Sequence, residues 1–217
     1  MIHAVVFDFD GVLADSEPLH LRAYQEVLAA MGVTLSRDEY YSRYLGFDDE
    51  NVFRMVAEAY GWNLTPERTA SLIAEKSHIF DAMLGEADVL YPGAAECVER
   101  LAGAYPLGIA SGALRHEIVA ILERYGLARR FRFVVAAGDT PASKPEPDPY
   151  LRAAALHGMA PDSCIAIEDS RWGIESAKAA GLTCIGITNT YPASELDGAD
   201  AVIGSLSEFA PDLIRRF

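Results

Sequence analysis

Lysine is scarce in this chain: only three of its 18 basic residues are lysine, at positions 76, 144 and 178. Basic residues as a whole are outnumbered by 32 acidic ones, for a formal net charge of −14. So acidic a surface repels polyanions, which argues against broad nucleic-acid binding and against adhesion to anionic membranes. An anionic substrate would have to be held by local positive charge or by a metal. Long apolar runs are also missing. Nothing approaches the roughly 20 residues that a bilayer-spanning helix requires, and the chain opens directly on a strand-like run. Cysteine is rare, and Cys97, Cys164 and Cys184 have no metal-type spacing. An odd count without a secretion signal is expected of reduced thiols in a cytoplasm. Cys164 and Cys184 sit in or beside apolar runs and read as small core residues. There is no internal repeat and no low-complexity segment. What is present is the composition of a packed soluble protein, 51% hydrophobic and 23% charged over 217 residues. That length suits one large domain, or one domain carrying an insert.

The segment Val5-Val6-Phe7-Asp8-Phe9-Asp10-Gly11-Val12-Leu13 organises the rest. Its apolar, β-branched start is that of a strand buried on both faces. It ends in two carboxylates one residue apart, and a buried Asp is costly unless it is paired or bound to a metal. On an open α/β sheet, ligands bind at the carboxyl ends of the strands. Taken alone, these nine residues fit a strand followed by an Asx-Gly turn equally well.

Residues 17–85 then carry helical periodicity and almost no strand-like run. Leu19, Ala23, Val27 and Ala30 mark an apolar helix face ending near Gly32. Ser36 with Glu39 forms a capping-box pattern, residues 50–60 make a third helix closed by Gly61, and Thr65-Pro66 opens a fourth. From Val89 strand-like and helix-like segments alternate. Strands are expected at 107–110, 131–136, 163–167, 183–187 and 201–203, and the proline-rich loop 138–149 excludes both helix and central strand. The expected fold is α/β, a doubly wound parallel-sheet (Rossmann-like) core formed by residues 1–14 and 88–217. An α-helical domain of residues 15–87 is inserted into it.

Polar residues gather where those strands end: Asp8 and Asp10 after the first, Ser111 after the second, Lys144 after the third, Glu168 and Asp169 after the fourth. Several carboxylates in one place repel unless a divalent cation joins them, and hard oxygen ligands suit Mg²⁺. A hydroxyl and an ammonium complete a phosphate site. A strand-terminal Ser-Gly or a Lys-Pro is an ordinary turn or loop on its own; the order and placement of all four carry the weight.

Asp8-Phe9-Asp10-Gly11-Val12, Ser111-Gly112, Lys144-Pro145 and Glu168-Asp169-Ser170 resemble the four motifs of the haloacid dehalogenase superfamily, over essentially the whole chain. Within it the chain is similar to the phosphatase and β-phosphoglucomutase group with small helical caps. The resemblance implies that Asp8 is a nucleophile forming an aspartyl-phosphate and that Asp10 is the general acid and then the base. It implies Mg²⁺ held by Asp8, the Asp10 backbone carbonyl and Asp169, with Glu168 contributing directly or through water. Ser111, Gly112 and Lys144 would hold the phosphoryl group. The substrate would be a small phosphorylated metabolite, with neither nucleic acid nor membrane as partner, and the protein a cytoplasmic monomer.

The acid at position 10 sets the chain apart from the dehalogenases, which lack it, and argues against a non-catalytic phosphate- or Mg²⁺-binding signalling module. A phosphonate-cleaving activity would need a cap lysine for a Schiff base; Lys76 lies far from the hinge in sequence. A β-phosphoglucomutase-like mutase is the competing enzyme. Ser16, Glu17 and His20 resemble the mutases' hinge segment, but Leu45 and Asp49 stand where mutases carry cations flanking Gly46. That departure favours hydrolysis. Arg43, Gly46 and Phe47, with Tyr41 and Tyr44, are the candidates for substrate selection, unless the aromatics are simply cap core.

Overall fold

The computed structural model describes residues 1–45, 47–85 and 87–217. The chain divides into two compact units, one made of Met1–Asp15 and Leu90–Phe217, the other of Ser16–Val89.

In chain order, strand β1 (Ala4–Phe7) comes first, followed by the four helices of the second unit: α1 (Glu17–Ala29), α2 (Arg37–Arg43), α3 (Asp49–Tyr60) and α4 (Pro66–Leu84). Their starts follow local chemistry. Ser36 Oγ accepts from Glu39 N–H at 3.1 Å, Asp48 Oδ1 from Asn51 N–H at 2.9 Å, and Thr65 Oγ1 from Arg68 N–H at 3.3 Å. Each bond satisfies one of the donors that a helix start leaves open. Gly61 ends α3 in the left-handed region. Ala30 was expected on the buried face of α1. Instead the helix stops at Ala29, and Ala30 caps its end, exposed. Within the unit, α4 packs on α1 and α3, around Tyr24, Phe53, Leu72 and Phe80.

The first unit resumes with α5 (Ala94–Ala102), β2 (Leu107–Ala110), α6 (Arg115–Arg124), β3 (Phe131–Val135), α7 (Asp148–His157), β4 (Cys164–Glu168), α8 (Arg171–Ala179), β5 (Thr183–Ile187), β6 (Ala201–Ile203) and α9 (Pro211–Ile214). The six strands form one parallel sheet in the order β3-β2-β1-β4-β5-β6. β1 lies near the middle, and all four of its residues are buried. Phe7 packs edge-on against Phe131 and Phe209 on one face. Ala4 and Val6, one step out of phase, join a cluster with Tyr150, Ala153, Ile174 and Ala177. Two covered faces explain why β1 is an unbroken apolar run rather than an alternating one. β4 runs one residue further than its apolar run because Glu168 still pairs with Gly186 of β5; β3 ends one residue early, at Val135. All three cysteines are buried and reduced, and burial pushes the Cys97 thiol up to about 12. Among the described residues no helix is long and apolar enough to cross a membrane.

Candidate active site

Strand order reverses between β1 and β4, the point at which an open parallel sheet leaves a crevice beyond its carboxyl ends. Asp8 enters this crevice directly after β1, with its N–H donating to Ile167 O at 3.0 Å. The next residues form a tight turn in which Leu13 and Ala14 N–H both donate to Phe9 O, at 2.8 and 3.0 Å. Gly11 is demanded there twice over. Its φ of +77° is left-handed, and a Cβ on it would lie 1.9 Å from Asp169 Oδ2.

Asp8, Glu168 and Asp169 bring one carboxylate oxygen each within 4.8 Å of one another, and all three residues are buried. Lys144 lies among them: its Nζ is 2.8 Å from Asp8 Oδ1 and 2.5 Å from Glu168 Oε1. Burial would lower this ammonium's proton affinity, but the charges of Asp8 and Glu168 outweigh it and hold the group above its ordinary range. The carboxylates are not neutralised by one cation. Burial, with the Asp8 charge beside it, pushes Glu168 up to about 7. Burial and then the charges of Asp8 and Glu168 push Asp169 well above the usual carboxylate range. Three crowded oxygen donors with surplus negative charge fit a hard divalent cation.

Ser111 is buried just beyond β2, its N–H donating to Val135 O at 2.9 Å. Its Oγ accepts from Ala113 N–H at 3.1 Å, which leaves its proton for an outside acceptor. Gly112 follows, exposed, with open space where a Cβ would point. Asp10 is half-buried in the turn, and its carboxylate is not among the three clustered oxygens.

The motif Glu168-Asp169-Ser170 has a local logic that sequence reading did not expose. Ser170 Oγ caps α8 by accepting from Gly173 N–H at 3.1 Å, and it lies 3.4 Å from Glu168 Oε2. Tyr150, on α7, donates to Glu168 Oε1 at 2.5 Å. Gly173 leaves room for that carboxylate: a Cβ on it would sit 2.0 Å from Glu168 Cδ and both carboxyl oxygens. In an open helix Gly→Ala gains about 1 kcal/mol. Here Gly173→Ala is expected to reverse that sign, destabilising by about 1–3 kcal/mol through overpacking. Urea unfolding checks it, and a stabilised variant would count against the constraint. Sequence reading also gave no sign of Asn189. Asn189 Nδ2 donates to Gly11 O at 2.8 Å, tying the loop after β5 to the turn after β1.

Within the helical unit, His20 is buried and stacked on Phe80, with ring centroids 4.2 Å apart. Its Nδ1 is 2.8 Å from Lys76 Nζ. An ammonium can only donate, so Nδ1 must be an unprotonated acceptor. Burial and then the Lys76 charge hold the imidazole well below its ordinary range. Lys76 is 1% exposed and also binds the Asp49 carboxylate, 3.1 Å to Oδ1. Tyr24 donates to the same carboxylate at 2.5 Å. The signal for this cluster was present in the sequence: Lys76 lies on the apolar stripe Leu72–Lys76–Phe80, and a buried lysine needs partners. Arg43 is exposed, 3.4 Å from Glu39 and over the Tyr44 ring. Phe47 is exposed, Tyr44 is buried and Tyr41 half-buried. Gly46 lies outside the described residues.

The sequence profile of the family described as haloacid dehalogenase-like hydrolase matches residues 5–187. The chain belongs to that family. It is 34% identical to hexitol phosphatase B of Escherichia coli strain K12, over 98% of this chain and 97% of that protein. Protein CbbY of Cereibacter sphaeroides is 34% identical over 96% of this chain and 94% of its own length. The fold matches a crystal structure of a CbbY variant from Rhodobacter sphaeroides in complex with xylulose-1,5-bisphosphate. The TM-score is 0.86 at 29% identity, covering 96% of each chain.

Proposed function

We propose that this protein is a Mg²⁺-dependent phosphomonoester hydrolase that acts on a small phosphorylated metabolite, of the sugar-phosphate or phosphoglycolate kind, through an aspartyl-phosphate on Asp8. The observation that carries the reading is Asp8 at the crevice of the sheet, 2.8 Å from Lys144 and grouped with Glu168 and Asp169. An Asp8 oxygen attacks phosphorus while the bond to the leaving oxygen breaks, and Asp10 protonates that oxygen. Water then attacks phosphorus, Asp10 takes its proton, and the bond to Asp8 breaks to release inorganic phosphate. Ser111 and Lys144 donate to the transferring phosphoryl oxygens, where negative charge is spread during transfer. Asp8, Asp169 and the Asp10 carbonyl would hold Mg²⁺, which offsets repulsion between two anions. Glu168 fits a supporting position, since Lys144 and Tyr150 both use its Oε1.

Hydrolysis is favoured over mutase chemistry by Asp49. A carboxylate at that position, already paired with Lys76, does not hold a second phosphate. Phosphate release is measured from p-nitrophenyl phosphate, hexose and hexitol phosphates, phosphoglycolate and a ketose bisphosphate, with Mg²⁺ or with chelator. Mg²⁺-dependent release from at least one is expected, and none from any would overturn the reading. β-Glucose 1-phosphate separates the two enzymes: free glucose marks a phosphatase, glucose 6-phosphate a mutase.

A further inference from the structure

Ser176 is a fully buried polar side chain with no part in the chemistry described above. It lies on α8, in the unit that carries Asp8. A serine inside a helix ordinarily turns its hydroxyl back on the carbonyl four residues earlier, or out to water. Ser176 instead gives its one proton to the carbonyl of Glu146, 2.5 Å away and 30 residues earlier in the chain.

Glu146 follows Lys144 by two residues, in the proline-rich loop that leads from β3 to α7. Its N–H donates to Ser143 O at 3.0 Å, which closes a four-residue turn with Lys144 and Pro145 at its centre. Ser176 holds the same residue by its carbonyl, so the turn that presents Lys144 is anchored to α8. Along that helix Ser170, Gly173 and Ser176 are neighbours three residues apart. Ser170 caps the helix beside Glu168, and Gly173 gives the Glu168 carboxylate its room. One helix thus sets the Glu168 carboxylate and the Lys144 turn against a common reference. Lys144 has need of it. Its ammonium sits on a flexible four-carbon stem and pairs with two carboxylates, Asp8 and Glu168. Where the backbone of the turn stands decides whether it also reaches a phosphoryl oxygen.

We infer that Ser176 is a positioning residue for Lys144: by holding the Glu146 carbonyl, it fixes the turn from which the ammonium reaches the phosphoryl group. The inference rests on the reading of Lys144 as a phosphate-binding residue.

Inorganic phosphate, as a competitive inhibitor of p-nitrophenyl phosphate turnover by the full-length protein with saturating Mg²⁺, tests this. An inhibition constant does not depend on how much of the enzyme is folded, so a merely structural loss leaves it unmoved. Ser176→Ala removes the donor. A net intramolecular hydrogen bond is worth about fivefold in the population of the state it holds. A binding-competent fraction that falls by that factor raises the apparent constant equally. The phosphate inhibition constant of Ser176→Ala is therefore expected to rise about fivefold. Ser176→Thr keeps the hydroxyl and is expected to be inhibited as the parent is. If Ser176→Ala does not fold, Ser176→Cys, which keeps the shape with only a weak donor, replaces it. A parent-like inhibition constant in the folded hydroxyl-free variant would overturn the inference, however far kcat falls. So would a folded threonine variant weakened as much as the alanine one; where threonine does not fit the buried site, the hydroxyl-free variant decides alone. A parent protein without Mg²⁺-dependent turnover, or with turnover that phosphate does not inhibit, refutes the reading of the site itself, and the inference falls with it.

Discussion

Replacing Asp8 by Asn is expected to lower kcat/KM by at least about 10⁴-fold, about 5.4 kcal/mol of transition-state stabilisation. The substitution keeps the shape of the side chain and an oxygen for Lys144, 2.8 Å from Asp8 Oδ1 in the native protein. What disappears is the second carboxylate oxygen and its charge, and with them the proposed nucleophile. No neighbour replaces it: Glu168 is held by Lys144 and Tyr150, and Asp169 stands behind Gly11. The fold is expected to survive, because one of three crowded negative charges has been removed. Turnover of p-nitrophenyl phosphate with Mg²⁺ and thermal unfolding without it separate the two effects. Turnover above a hundredth of the parent's would sink the covalent mechanism.

Lys144→Met is expected to be the most damaging change to stability, and its cost is expected to rise with pH. The side chain is 11% exposed and pairs with Asp8 and Glu168 at once. Removing one partner of a buried ion pair typically costs about 3–5 kcal/mol, because the remaining charge is left uncompensated. The pH dependence follows from Glu168, which burial and Asp8 already push up to about 7. Without Lys144 it loses the cation that lowers it, so its folded-state proton affinity rises further. A group held above its unfolded value gives up its proton first in the unfolded chain. Native stability therefore falls as pH rises from the unfolded carboxylate range through the folded value. Urea midpoints at pH 5.5 and pH 8 check this, with the larger deficit expected at pH 8. Equal deficits at both would show that lost packing against Tyr150, rather than the carboxylates, sets the cost. Phosphate release is expected to collapse as well, since the same ammonium is the one proposed to donate to the transferring group.

Local chemistry made much of this legible. Helices α2 and α4 of the second unit start where Ser36 and Thr65 can accept from the chain three residues on, a relation contained in adjacent sequence. β2 and β5 occupy the expected residues, because a strand covered on both faces has to be a short apolar run bounded by turns; β6 also lies where expected, at the sheet edge with Val202 exposed. Asp8, Ser111 and Glu168-Asp169 could be read as strand-end residues for the same reason.

Residue order and periodicity determined which segments are strands and helices, and which polar side chains end the strands. They could not determine which of those side chains meet. Lys76 reaches His20 across 56 residues of chain, and Lys144 reaches Glu168 across 24. Gly173 and Gly11 matter through a carboxylate that each must make room for. Such pairings carry no periodic signature. They exist because a buried charge cannot remain unpaired, and the partner is whichever group the packed sheet and helices bring within reach.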